Sequence, residues 1–314
     1  MTKPALRTVT RLQGNNRALV TGGIEPQGFT LDFVDVPVLV QAFRRMVRTL
    51  EFDVCEMALT TYVCAREHGI RFTALPVFLV RAFHHGAILV RSASGIESPS
   101  ELEGRSVGVN RGYTVTTGVW ARGVLQDEYG VDLRKITWML SGDEHVEAYR
   151  PPANVKPIPA SESIESMLKN GELAAAINIK SGDPDIRPLI SNAAEAGLEA
   201  YRSRGHYPIN HLLVVRDDVL ERYPEAATCL FDAFAESKRI YLERLRLGAI
   251  EEPDGMDELY ARLLSSGDDP LPYGIEPNRA ALEELVRHAI SQGILTRPVE
   301  IASLFAPSTL SLEA

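Results

Sequence analysis

Four short segments of this sequence carry side chains whose types and spacing suit work on a small anion. The first is Phe52-Asp53-Val54-Cys55-Glu56-Met57-Ala58-Leu59-Thr60-Thr61-Tyr62. An acid at the end of a buried apolar run, followed by hydroxyls, lies where open α/β sheets bind ligands. Glu56 can accept a proton from a ligand there, or simply pair with an Arg. The second is Asn110-Arg111-Gly112-Tyr113-Thr114-Val115-Thr116-Thr117, which follows a strand pattern and opens a helix. Unpaired N–H groups at such a start attract carboxylate or phosphate. Arg111, Tyr113, Thr114 and Thr116 would frame that anion, and the plainer alternative is a Thr that only caps the helix. The glycine and lysine spacing of a phosphate-binding P-loop is absent.

The third segment is Arg81-Ala82-Phe83-His84-His85. In extended form it puts Arg81, Phe83 and His85 on one face and His84 on the other. Arg is suited to bidentate carboxylate binding and His to proton transfer near neutral pH. The fourth is His206-Tyr207-Pro208-Ile209-Asn210-His211. His206 and His211 are separated by an odd number and do not share a face, but His211 opens an apolar strand and can reach a cleft. Arg17, after Gly14-Asn15-Asn16, and Lys180, after the apolar run 174–179, are further candidate cations, although Asp183 and Asp185 can equally neutralise Lys180. Glu56, His85 and His211 are a conceivable metal set without any paired His spacing to support it. Cys55, Cys64 and Cys229 are scattered, with neither disulfide nor zinc spacing.

Short apolar strands alternating with amphipathic helices must position these groups, the pattern of a largely parallel sheet. Strands are predicted at 6–12, 31–36, 52–55, 73–78, 87–91, 106–110, 136–139, 174–179 and 212–215. Helices are predicted at 38–49, 60–68, 224–245, 256–264 and 277–292. Ser98-Pro99-Ser100-Glu101 carries a capping Ser, a Pro at the first helical position and a Glu three residues after the cap, and so opens a new α/β unit. Chain order then gives one lobe from 1–90 plus 208–314 and a second from 91–207. The chain crosses between them at two hinges, with the ligand cleft in between.

Composition narrows the function. The 314 residues suffice for about two domains. A net charge of −9 argues against nucleic acid, which selects basic surfaces, while a few local Arg residues can still make a cleft anion-binding. No stretch approaches the ~20 apolar residues of a membrane helix. No apolar signal core follows Lys3, and Arg11 and Arg17 interrupt the region, which points to the cytoplasm.

Taken together these segments resemble the 4,5-dihydroxyphthalate decarboxylases, which are similar in turn to type 2 periplasmic binding proteins. The markers are Phe52-Asp53-x-x-Glu56-Met57, Arg81-x-Phe83-x-His85, Val119-Trp120-x-Arg122-Gly123-x-Leu125-Gln126, Pro208-Ile209-x-His211, Pro272-Tyr273-Gly274-x-Glu276-Pro277-Asn278-Arg279 and Leu304-Phe305-Ala306-Pro307. The family has Tyr-Asp-Arg where this chain has Asn15-Asn16-Arg17, and Pro-Glu-Tyr-Gln near Arg111–Thr114. An Arg of the family is replaced near Lys180.

The resemblance implies a two-lobed α/β fold with its helical C-terminal region packed on the first lobe. It also implies non-oxidative loss of CO2 from an aromatic hydroxydicarboxylate. That chemistry needs a cationic clamp, a phenol base and a carbon acid. Arg17 and Arg81 would clamp, and Arg111, Tyr113, Thr114, Thr116 and Lys180 would close from the other lobe. His85 or His211 would protonate carbon, and Glu56 would assist the phenol. No organic cofactor is expected, since the ring is its own electron sink; a divalent metal and a homo-oligomer stay open. The rivals are a transporter's solute receptor, a decarboxylase of another ring acid, and an aromatic-acid sensor.

Overall fold

The computed structural model describes residues 3–205 and 207–314, so the expectation about the ring of His206 lies outside the described residues. The strands are β1 (Ala5–Val9), β2 (Thr30–Phe33), β3 (Val54–Ala58), β4 (Phe72–Arg81), β5 (Ile88–Arg91), β6 (Ser106–Val109), β7 (Thr137–Leu140), β8 (Val155–Pro157), β9 (Ala175–Ile177), β10 (Ile186–Pro188) and β11 (Ile209–Arg216). They form two sheets, in the orders β2-β1-β3-β11-β4 and β10-β5-β9-β6-β7-β8. The short edge strands β8 and β10 each end in Pro and carry one apolar residue besides it. They show no alternation for a sequence pattern to catch, and Pro is tolerated there because an edge leaves its missing donor unneeded.

Both sheets are mixed, which corrects the largely parallel expectation. β1 pairs parallel with β2 and β3, while β11 runs antiparallel to β3 and β4. In the second sheet β6, β7, β8 and β9 are parallel, and β5 alone runs against them, antiparallel to both β9 and β10. The reversals fall on the strands at which the chain changes sheets: β4 leads into β5, and β11 brings it back.

The C-terminal region packs on β4. Ala306 N donates to Ala74 O at 2.9 Å and Gly274 N to Pro76 O at 2.9 Å. The helix Arg279–Ser291 reaches further, to the helix Thr116–Tyr129 that follows β6. There the wholly buried Arg122 donates through Nε to Gln292 Oε1 at 2.7 Å and through a terminal nitrogen to Tyr113 O at 2.7 Å. Its guanidinium lies 3.9 Å from the centre of the Tyr113 ring. One apolar cluster, running from Leu6 and Phe78 to Val107 and Trp138, spans both sheets. Side chains of this size contribute roughly 1.5–3 kcal/mol each when fully buried. No helix among the described residues is long and apolar enough to cross a membrane.

Candidate active site

β1 lies between β2 and β3, and β6 between β9 and β7, so in both sheets the chain order reverses at a central strand. A crevice opens at the carboxyl ends of strands at such a reversal. A cavity of about 590 Å³ sits there, lined by residues that follow the strand ends of both sheets. Thr10, Arg11, Phe43, Ala58, Thr61, Asn210 and His211 come from the first sheet's side, and Arg111, Thr116, Thr117, His145 and Asn178 from the second's.

His211 is set by strand register. It sits opposite Ala58 on β3, and its neighbour on the same face, Leu213, sits opposite Glu56. Glu56 and His211 are therefore diagonal neighbours on one face, within reach of long side chains. Glu56 Oε1 accepts from His211 Nδ1 at 2.6 Å. Its other oxygen accepts from Thr10 Oγ1 at 2.7 Å and Arg11 N at 3.0 Å. Burial alone would raise the Glu56 carboxyl, but His211, the Arg11 charge and the Thr10 hydroxyl hold it below the usual carboxylate value. With Nδ1 committed, Nε2 is the ring nitrogen His211 has for a ligand. The register with β4 shifts between Ile209 and His211. Bulges of this kind re-aim side chains next to active sites. Asn210, passed over in that pairing, bridges Thr117 Oγ1 at 3.3 Å and His84 Nε2 at 3.0 Å.

The lining is cationic. Arg11 and Arg111 face it against a single acid, Asp35. The Arg111 side chain has no carboxylate partner among the described residues, and partial burial lowers its pKa. Arg111 and Asn178 also have positive φ, 74° and 62°. Non-glycine residues held there store backbone strain, which concentrates at ligand sites. Ser141 Oγ holds the first by accepting from Arg111 N at 2.8 Å, and Asn178 O accepts from Asn110 Nδ2 at 2.8 Å.

Several expected site residues lie elsewhere. Glu56 is fully buried beneath His211 and does not line the cavity, so it holds the imidazole and is not in reach of a ligand phenol. Tyr113 and Thr114 do form an anion-binding turn, but the anion is internal. Glu144 accepts from Tyr113 N, from Thr114 N at 3.2 Å and from Thr114 Oγ1 at 2.6 Å. Thr116 lines the cavity while its Oγ1 accepts from Thr60 N at 3.1 Å. β4 ends at Arg81 and His85 begins a 3-10 turn, so the two do not share a face. His85 Nε2 meets Glu128 at 2.8 Å, away from the cavity. Arg17 lines a separate cavity with Tyr241, Arg244 and Asp257, and Lys180 is exposed outside the site. Glu56, His85 and His211 therefore do not converge on a metal. Asp127, Glu284 and His288 do approach one another, but Arg287 already salt-bridges both acids.

Arg81 is structural. It donates to Tyr207 O at 2.8 Å, to Pro272 O at 3.3 Å and to Asn278 Oδ1, and burial pushes its guanidinium down to about 10. Substituting Arg81→Met strands two buried acceptors, Tyr207 O and Asn278 Oδ1, each worth ~1–3 kcal/mol when left unpaired, while Pro272 O keeps its bond from Asn278 Nδ2 at 2.9 Å. The expected loss is about 3 kcal/mol or more, read as a lowered denaturant midpoint, with ligand affinity retained in the protein that still folds.

Sequence reasoning missed Arg11 and His145. His145 follows β7 in the irregular run Ser141-Gly142-Asp143-Glu144-His145, and its only signal is its place just beyond a strand's carboxyl end. Burial first, then the Arg44 charge, depress its pKa; Asp143 opposes, Arg111 and Arg48 add, and the outcome is about 4.

Comparison with known proteins fits this arrangement. The 4,5-dihydroxyphthalate decarboxylase of Comamonas testosteroni is 31% identical over 315 residues, covering 94% of each chain. The chain belongs to the 4,5-dihydroxyphthalate decarboxylase family. A second member, from Pseudomonas putida, is 31% identical over 205 residues, 60% of this chain and 77% of its own. No protein-family model matches. Among solved structures, the periplasmic aliphatic sulphonate binding protein SsuA of Escherichia coli superposes with a TM-score of 0.56 at 12% identity, over 98% of this chain and 99% of its own. The desulfurization enzyme DSZB does so with a TM-score of 0.53 at 14% identity, over 98% and 97%. At such identities these two show the fold, that of periplasmic binding proteins, on which this family member is built.

Proposed function

We propose that the protein is a carboxy-lyase that removes CO2 from an aromatic hydroxydicarboxylate, with 4,5-dihydroxyphthalate yielding protocatechuate as the substrate to test first. The observation that carries this is the buried Glu56–His211 pair opening onto a cavity whose cations outnumber its acids. The family relationship supplies the substrate class. Between the two lobes, Arg111 is suited to hold a substrate carboxylate, and Thr117 and Asn210 offer polar atoms beside it. Phe43 offers a flat apolar face, edge-on to His211 at 5.1 Å between ring centres. His211, oriented by Glu56, is suited to deliver a proton through Nε2 to the ring carbon that bears the departing carboxylate.

Purified protein mixed with 4,5-dihydroxyphthalate should release CO2 and accumulate protocatechuate. Binding without turnover would instead mark a receptor. Arg111→Met should raise KM at least thirtyfold, because losing one partner of a charge-paired contact costs on the order of 2–5 kcal/mol. A KM within threefold of wild type would remove Arg111 from carboxylate binding.

A further inference from the structure

Protonating the ring carbon is half of the proposed reaction. The electrons for it come from a ring hydroxyl that must give up its own proton, and Glu56 lies beneath His211, out of reach of the cavity. We propose that His145 is the catalytic base that takes the phenolic proton, facing His211 across the bound ring. This deepens the decarboxylase reading and rests on it.

His145 lines the same cavity and is 5% exposed. Its Nδ1 lies 3.4 Å from Thr61 Oγ1 across the cleft, which leaves Nε2 as the ring atom for a ligand. Both imidazoles pack edge-on against Phe43, at 6.3 Å for His145 and 5.1 Å for His211. They come from opposite sides of the cleft, and their electrostatic settings are opposite too. His211 carries a carboxylate on its ring, whereas His145 is surrounded by Arg44, Arg48 and Arg111. The acids beside it are engaged elsewhere. Asp143 is held by Arg44 at 2.5 Å and Arg48 at 3.0 Å, and Glu144 is held by Thr114. Arg48 also fixes the segment by donating to His145 O at 3.3 Å. This setting favours a neutral imidazole, and the tautomer that donates from Nδ1 to Thr61 Oγ1 presents the Nε2 lone pair to a ligand proton. A bound dicarboxylate brings negative charge that favours its protonated form. Two titratable groups in opposed settings mark an acid and a base.

The step balances without a co-reactant. The hydroxyl para to the departing carboxylate passes its proton to His145, and its oxygen electrons move through the ring as the ring carbon takes a proton from the His211 imidazolium. The carbon–carboxylate bond then breaks and its electrons restore the aromatic ring. CO2 leaves, and the phenolate oxygen recovers the proton from His145. His211 is reprotonated from solvent, so one proton is consumed per CO2 released.

The test compares wild type with His145→Asn and His145→Phe, using 4,5-dihydroxyphthalate as substrate and phthalate, which lacks ring hydroxyls, as competitive inhibitor. Both variants should lose ~100-fold or more in kcat, the usual scale of general base catalysis. The Asn variant should keep KM within about threefold, and both should bind phthalate within about threefold of wild type, since carboxylate contacts do not involve this base. A kcat within threefold of wild type in either variant overturns the assignment. So does phthalate binding weakened in parallel with turnover, which is the mark of a structural role. Wild-type protein that does not turn over the substrate at all would instead overturn the decarboxylase reading, and this inference with it.

Discussion

His211→Gln is expected to lower kcat by about 10³-fold or more while the protein still folds and still binds phthalate. General acid catalysis by a positioned side chain contributes ~10²–10⁴-fold, and His211 is the imidazole on its side of the cavity. Besides Arg11, the remaining lining on that side of the cavity offers hydroxyl and apolar groups from Thr10, Phe43, Ala58 and Thr61, the Asn210 amide and one carboxyl group, Asp35. Phthalate titrated into the variant by calorimetry checks folding and binding in one experiment, because its carboxylates address Arg111. A variant that retains a tenth of wild-type turnover would mean that the ring carbon is protonated from solvent or from another group. The same experiment on His85→Gln should leave kcat within about threefold. His85 is engaged with Glu128 at 2.8 Å outside the cavity, and surface or structural positions away from the reacting atoms seldom touch the chemical step.

The contrast between these two histidines shows which parts of the site were legible in the sequence. Glu56 and His211 both sit on regular strands, where alternation tells which residues share a face. The strand order that makes β3 and β11 neighbours is a tertiary fact, so the pair itself was not visible. Arg81 and His85 were placed on one face by the same alternation rule, and there it failed, because the strand stops at Arg81. The family markers around Arg81, Trp120, Arg122 and Asn278 turned out to hold the fold together. Arg122 joins two helices, Trp120 Nε1 donates to Ile209 O at 2.9 Å, and Arg81 reaches Asn278. Such markers identify a family well and a site poorly. The anion-binding turn at Gly112–Thr114 was legible as chemistry but not as an address. Only the tertiary structure shows that Glu144 fills it; a Cβ on Gly112 would come 2.7 Å from that carboxylate. His145 was illegible for the reverse reason, since its segment has no period and its neighbours are drawn together from three separate stretches of chain.

Glu56→Gln should cost nearly as much as losing His211, and for a different reason. In the wild type the carboxylate accepts from His211 Nδ1, so Nδ1 keeps its hydrogen and Nε2 is the atom that gives and regains the mobile proton. The amide introduced by the substitution can still accept from Thr10 and Arg11 N through its carbonyl oxygen. Its N–H2 group then faces Nδ1 as a donor, and Nδ1 must accept. A second proton on the ring would set two donors against each other, so the imidazolium that acts as carbon acid is no longer available. An amide in the equivalent place of a His–carboxylate pair costs about 10⁴ in kcat through this wrong tautomer. The expected loss here is on the order of 10²–10⁴, with phthalate affinity little changed. The double variant with His211→Gln should be no slower than the worse single one, because groups acting as one unit are not additive. Stability gives a separate sign. The Glu56 carboxyl is held below its ordinary value in the folded protein. Its ionised form therefore contributes stability above that ordinary value, and the contribution is lost as pH falls through the folded-state pKa. The gap in denaturant midpoint between wild type and Glu56→Gln should be widest near neutral pH and narrow on acidification. Wild-type turnover retained in Glu56→Gln would show that His211 needs no carboxylate beneath it, and the acid role would then have to pass to a group that the amide does not touch.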